Sequence, residues 1–381
     1  MTITLSIPES LKPEDGRFGS GPSKIRPEQI AALDAGATTL LGTSHRQAPV
    51  KQLVASIREG LREFFHLPEG YEVALGNGGA SAFWEIACAS LITRRAAFGT
   101  YGSFSAKFAA SAANAPFLED PVLFPRRAGH LPVCLELTEG VDTYCWAHNE
   151  TSTGVAAPIR RVAGSREAGA LTVIDGTSAA GALPVDISQT DVYYFSPQKA
   201  FGADGGLWVA ILSPEAIDRA AGVESSAHLE GAHRWVPPFL SLTTALNNSR
   251  KDQTLNTPAV ATLIMMENQI RWLNNNGGLA WATTRCAKSA STLYSWAERS
   301  EYAAPFVVDA DARSNAVVTI DLDERVQASQ VLSILRENGI VDAAGYRKLG
   351  RNQLRVGVFP SVEPADVMAF TKCVDYVVEH L

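Results

Sequence analysis

The chain has 381 residues, 46% of them hydrophobic and 19% charged, which is too long for one simple core and too apolar for extended disorder. Its net charge is −7, and its densest basic cluster, Arg347, Lys348, Arg351 and Arg355, is small; this excludes a nucleic-acid surface and suits a small anion. No run approaches the ~18 apolar residues of a membrane span, and the first residues lack a basic start followed by an apolar run, so a soluble cytoplasmic protein without a secretory leader is expected.

Residues 1–24 read as an extended arm punctuated by Gly19, Gly21 and Pro22. Over 49–66 the apolar residues keep the helical period, with Leu53, Ile57, Leu61 and Phe64 on one stripe. A strand-like YEVALG runs into a glycine turn at Gly76–Gly79, and ASAFWEIACASLI beyond it reads as a helix. That order leaves free backbone N–H groups where an anion can dock. Short apolar strands follow at Tyr144–Ala147, Leu171–Asp175, Val192–Ser196 and Leu207–Leu212, with helical or loop material between them. Such alternation predicts a mainly parallel α/β sheet. Pro258 opens a long helix, PAVATLIMMENQIRWLNNN. Past Asn274–Gly278 come a helix near 279–299, the strand NAVVTIDL, the helix QASQVLSILRENG, the strand QLRVGVF and a last helix at 364–380, together a small α+β domain. The expected division is a large domain at 16–265 and a small C-terminal domain at 266–381, the latter taking the arm 1–15. The five cysteines, Cys88, Cys134, Cys145, Cys286 and Cys373, are scattered and form no C-x-x-C pair. Buried reduced thiols are expected, and no metal site or disulfide framework.

Three features carry chemistry. VIDGTSAAGALPVD sets Asp175 at the end of an apolar strand, and VYYFSPQKAFGADGGLW sets Lys199 in a loop 24 residues later. GNGGAS is the third, a turn able to hold a phosphate. Singly each is ordinary: a strand-end Asp often serves a turn or a helix cap, a loop lysine is usually a solvated charge, and glycines often only redirect the chain. GNGGAS is neither a dinucleotide fingerprint nor a Walker loop. Their conjunction on alternating strands points to pyridoxal phosphate. A buried carboxylate keeps the ring nitrogen protonated as an electron sink, and a lysine serves first as imine partner and then as proton shuttle. The phosphate takes amides at a helix start.

The segments FGSGPSKI (18–25), SHR (44–46), GNGGASAFW (76–84), HNETSTGV (148–155), VIDGTSAAG (173–181), SPQKAFGADGG (196–206), LNTP (255–258) and RVGVFPSVE (355–363) extend the case over nearly the whole length. As a set they resemble the phosphoserine aminotransferases, dimeric class-V, fold-type-I pyridoxal-phosphate enzymes, and most closely their actinobacterial branch. The resemblance implies a seven-stranded, mainly parallel sheet flanked by helices. It also implies a ping-pong exchange between glutamate and 3-phosphonooxypyruvate that gives phosphoserine and 2-oxoglutarate in serine biosynthesis.

By that resemblance Lys199 is the Schiff-base lysine and Asp175 the pyridinium partner. Gly79, Ala80 and Gln198 hold the cofactor phosphate, Thr151 lies near the ring hydroxyl, and Phe104 stacks on the pyridine. Asn256 and Thr257 reach the partner subunit's cofactor in a homodimer. Arg355 binds the α-carboxylate, and His45 and Arg46 with Arg347 bind the distal phosphate. The sequence departs from the common family pattern at Phe104 (often Trp), Ala80 (often Arg) and Tyr346 (often His). The rival reading is another class-V enzyme, an alanine–glyoxylate or serine–pyruvate aminotransferase, which needs no second basic cluster. A cysteine desulfurase needs a cysteine in a mobile loop, whereas Cys286 and Cys373 fall in helical stretches. The 4-phosphohydroxythreonine of pyridoxal phosphate biosynthesis is a further substrate that the residues neither select nor exclude.

Overall fold

A computed structural model of the chain describes residues 5–131, 135–227 and 234–381. Helix α1 (Pro27–Ala35) leads into α2 (Ala48–Phe64), whose buried stripe is Val50, Val54, Ile57, Leu61 and Phe64. Leu53, expected in that stripe, sits half-buried at its edge. Two valines take the core-facing positions because they extend the four-three spacing of Ile57, Leu61 and Phe64.

The main body then alternates strand and helix. It comprises β1 (Glu72–Gly78), α3 (Ala80–Ser90), β2 (Ala96–Thr100), α4 (Ser103–Asn114), β3 (Val122–Pro125) and β4 (Thr143–Ala147). A short hairpin, β5 (Asn149–Glu150) with β6 (Val155–Ala156), precedes β7 (Leu171–Asp175), β8 (Val192–Phe195) and β9 (Gly206–Leu212). Helices α5 (Pro214–Ser226), α6 (Leu242–Ser249) and α7 (Val260–Asn275) complete it. Seven strands form one sheet in the order β1-β9-β8-β7-β4-β2-β3, and only β9 runs against the rest. The turn expected at Gly76–Gly79 begins later, since β1 pairs with β9 through Gly78.

Central strands are buried on both faces, which explains their unbroken apolar runs. Ile174 and Tyr193 pack with α2 and α7 on one side, while Val173 and Tyr194 pack with α3 and α4 on the other. Because β1, β4, β7 and β8 share a direction, their C-terminal ends meet along one edge of the sheet. In open α/β sheets that edge is where ligands bind.

Helix α8 (Gly278–Arg299), β10 (Ala303–Pro305), β11 (Val317–Leu322), α9 (Ala328–Glu337), β12 (Gln353–Gly357) and α10 (Pro364–Glu379) follow. Their strands form a three-stranded antiparallel sheet with β11 central. Leu293, Val318, Val331, Val356 and Phe370 share its core with two arm residues, Ile7 and Phe18. The arm is pinned there by backbone bonds from Phe18 N to Val341 O (3.2 Å) and from Gly357 N to Phe18 O (2.9 Å). Helix α8 serves both bodies: Leu279 and Ala282 pack under the main sheet, Leu293 and Ala297 against the small one.

Cys88, Cys145, Cys286 and Cys373 are buried free thiols; Cys134 lies outside the described residues. Among the described residues no helix is long and apolar enough to cross a membrane.

Candidate active site

Asp175 is the last residue of β7, and its carboxylate is buried at the sheet edge. Oδ1 accepts from Thr177 N (2.8 Å), and Oδ2 accepts from the Tyr194 hydroxyl (2.9 Å) and from Trp84 Nε1 (3.4 Å). Burial, reinforced by the Asp175 charge, pushes the Tyr194 phenol far above its usual range, so it acts as a neutral donor. An anion held this way favours a positively charged neighbour on its open side.

Lys199 stands in the turn after β8, also buried. Its Nζ donates to the carbonyl of Ser20 (2.8 Å) and to Thr151 Oγ1 (3.3 Å). Burial, helped by the charge of Arg355 and opposed by Asp175 and Glu150, pulls the amine down to about 7. Near neutrality a lysine is a nucleophile and a base rather than a fixed cation. The arm crosses over this turn: Ser23 N donates to Gln198 O (2.8 Å), and Ser23 Oγ donates to the Lys199 carbonyl.

Both residues line one cavity of about 400 Å³, the size range of small-ligand sites. Gly79 and Ala80 line it at the start of α3, a helix with no side-chain cap, so its first-turn amides are available to an anion. Phe104 lines it too, its ring centroid 6.0 Å from Lys199 Nζ. Thr151 joins a hydroxyl network, donating to Ser178 Oγ at 2.8 Å, which Asn149 Nδ2 also reaches at 2.8 Å. Buried polar atoms on Thr177, Gln198 and Asn149 have no partner within the chain. A flat, anionic, heteroaromatic group suits such a lining.

A second cavity of about 520 Å³ adjoins it at Gly21 and is lined by Tyr346, Arg347, Lys348 and Arg355. Arg355 projects from β12, and its Nη1 donates to the Thr151 carbonyl (3.2 Å) while its buried Nε is unpaired. Burial lowers its pKa, which marks a desolvated cation ready for an anion. Tyr346 bridges the two cavities, 5.8 Å from the Phe104 ring and 5.4 Å below the Arg355 guanidinium.

The structure thus brings Gly79, Ala80, Phe104, Thr151, Asp175, Gln198 and Lys199 together, with Arg347 and Arg355 next door. It does not bring His45 and Arg46 to Arg347 within one chain. His45 instead shares a hydrogen bond with Thr257 Oγ1 (3.2 Å), and Asn77 Nδ2 donates to the Thr257 carbonyl (3.0 Å). His45 is buried in this contact, while Arg46, Asn256 and Thr257 are exposed. No site role was expected from the sequence for Trp84, Thr177, Tyr194, Ser20 or Gly21. Trp84 carried one usable signal, lying one helical turn after Ala80 on the face toward the glycines. Among the described residues no group of three or more His, Cys, Asp and Glu side chains is placed to hold a metal.

The family description matching residues 18–350 is that of the class-V aminotransferases. Over 381 residues, spanning the full length of both proteins, the chain is 56% identical to a phosphoserine aminotransferase of Rhodococcus opacus and 55% to that of Rhodococcus jostii. Among solved structures it is similar to a phosphoserine aminotransferase of Cytophaga hutchinsonii, with a TM-score of 0.84 over 95% of this chain and 99% of that one. At 20% identity that likeness is one of fold.

Proposed function

The chain belongs to the class-V aminotransferase family, and from that premise we propose that it is a phosphoserine aminotransferase. It exchanges an amino group reversibly between L-glutamate and 3-phosphonooxypyruvate, giving O-phospho-L-serine and 2-oxoglutarate in serine biosynthesis. One observation carries the reading: Lys199 and Asp175 line a single cavity, and a second cavity with Arg347, Lys348 and Arg355 opens beside it.

Pyridoxal 5'-phosphate is the cofactor, and the lining fits it. Asp175 would hold the ring nitrogen, Phe104 the ring face, Thr151 the ring hydroxyl, and Gly79, Ala80 and Gln198 the phosphate. The unpaired hydroxyl of Thr177, which lines the same cavity, is a further donor open to the cofactor. When bound, the protonated ring draws in the electron pair left behind by the departing α-proton.

The chain's own groups do the rest. Asp175, fixed by Thr177, Tyr194 and Trp84, keeps the ring nitrogen protonated. Lys199, poised near neutrality, takes the proton from the substrate α-carbon. Arg355 orients the α-carboxylate through a planar fork. Arg347 and Lys348 receive the phosphate or the distal carboxylate, and because the amino group would stay with the bound cofactor after one keto acid leaves and before the next arrives, the kinetics are ping-pong.

The working unit is a cytoplasmic homodimer. Asn256 and Thr257 reach the cofactor of the partner subunit, and His45, bonded to Thr257, carries Arg46 to the same place, so the distal phosphate is gripped from both subunits. A cofactor-binding domain at 16–265 and a small domain at 266–381 with the arm 1–15 are part of this reading, with α7 running across the boundary between them.

A half-reaction followed by absorbance tests it. Phosphoserine is expected to convert the bound cofactor to its amine form far faster than serine does. Equal rates for the two would remove the phosphate site and leave an aminotransferase of unphosphorylated substrates.

A further inference from the structure

Glu150 is fully buried, yet its charge is met by neutral donors. Its two carboxylate oxygens accept from Phe104 N (3.2 and 3.1 Å), and one also accepts from Ser105 N and Ser105 Oγ (both 2.9 Å). The other takes Ser152 N (3.2 Å) and Ser152 Oγ (2.6 Å). Phe104 and Ser105 belong to the first turn of α4, where N–H groups lack helical partners and the helix dipole favours negative charge.

The N-cap of α4 is Gly102, which has no side chain and makes no capping bond. Glu150, 46 residues distant from Phe104 in sequence, does what a local Asp or Ser does at other helices. Space is kept for it: a Cβ on Gly102 would meet Glu150 Cγ at 2.2 Å and Cδ at 2.4 Å. The pair is built around a remote carboxylate cap.

What hangs from that cap is the cofactor cavity. Phe104 is the second residue of α4, and Thr151 follows Glu150 in the chain; both line the cavity and both lie near Lys199 Nζ. We propose that Glu150 is a positioning residue for transamination, a buried carboxylate that fixes the Phe104 ring and the Thr151 hydroxyl against the cofactor plane. The proposal rests on the reading that Phe104 stacks on pyridoxal phosphate. A glutamine of the same shape cannot replace the carboxylate, because its NH₂ group would face donors rather than acceptors.

The test is a double-mutant cycle on the holoenzyme, with two readouts beside turnover. These are the pyridoxal phosphate dissociation constant, from tryptophan fluorescence quenching in the cofactor-stripped protein, and the pH midpoint of the bound cofactor's visible band. Glu150→Gln is expected to weaken cofactor binding about tenfold and to displace that midpoint. Phe104→Ala should do the same, and the double variant should fall clearly short of the product of the two single losses, exceeding Phe104→Ala alone only by the share that Thr151 carries. Losses that multiply in the double variant would overturn the proposal. So would a Glu150→Gln protein with a lowered unfolding midpoint but normal cofactor affinity and band, since that describes an ordinary helix cap. Should Phe104→Ala leave affinity and band unchanged, the stacking reading itself fails, and the single variant reveals this without reference to Glu150. If Glu150→Gln does not fold, Ser105→Ala takes its place in the cycle with an expected loss of about threefold.

Discussion

Gly21 and Lys199 touch so closely that a methyl group on Gly21 would sit 2.4 Å from Lys199 Cε and 2.7 Å from Nζ. Gly21 also has φ +138°, a conformation that side chains other than glycine's rarely adopt. The arm therefore sets the path of the reactive lysine, and glycine is the residue that lets it pass.

Gly21→Ala is expected to displace the amine and lower kcat/KM about 100-fold, while the unfolding midpoint falls by only a few degrees. Steady-state kinetics beside a thermal melt decide the matter. A variant within threefold of the parent would show that the lysine has room to spare.

In the cofactor-free protein the Lys199 amine lies near 7 against 10.5 for an ordinary lysine. Between those values the unfolded chain holds a proton that the folded site has shed, so stability rises as pH climbs from 7 to 10.5. Below 7 both states carry the proton and the dependence flattens. Relative to Lys199→Ala, the parent should gain on the order of a few kcal/mol across that window in urea unfolding. Parallel stability curves for the two proteins would refute the depressed amine.

Lys199→Ala should also lose transamination by more than about 1,000-fold and fail to take up label on borohydride reduction, with the fold intact. Unchanged turnover would end the assignment of this lysine.

Asp175→Asn keeps an acceptor for Thr177, and the Tyr194 hydroxyl can turn to accept from the new amide, which leaves only the long Trp84 contact opposed. The cofactor-free fold should therefore hold its unfolding midpoint within a few degrees. Activity is another matter: an amide cannot keep the ring nitrogen protonated, and kcat should drop about 1,000-fold, roughly 4 kcal/mol of barrier. Retention of a tenth of the parent rate would count against the electron-sink role.

The two arginines should separate by substrate. Arg355 is buried with an unpaired Nε, and Arg355→Ala should cut kcat/KM about 100-fold for both glutamate and phosphoserine. Arg347, exposed at the mouth of the second cavity, should matter about tenfold for phosphoserine and less than threefold for glutamate when changed to Ala. Equal losses on both substrates from Arg347→Ala would show that it does not read the phosphate.

Much of the site was legible because sheet topology turns sequence order into place. Asp175 ends an apolar run and Lys199 follows the next one, so parallel neighbours β7 and β8 had to deliver both to one edge. Contacts made between distant segments were not legible. Trp84 meets Asp175 across 91 residues and Ser20 meets Lys199 across 179, and no local pattern announces either. Strand β2 was not among the expected strands because AAFGT has little β propensity of its own and is held by neighbours on both sides. His45 and Arg46 were grouped with Arg347 by likeness to relatives, but within one chain the geometry groups His45 with Thr257.

Pinning of Phe18 to the small sheet has a mechanical meaning. One residue separates it from Ser20, whose carbonyl holds the Lys199 amine, and two residues of extended chain reach at most ~7 Å. The leader strand is a short tether with almost no slack. A swing of the C-terminal body beyond that reach must either drag the acceptor off the amine or tear the strand from its anchorage. A displacement that keeps the strand anchored therefore draws the Ser20 carbonyl away from the Lys199 amine.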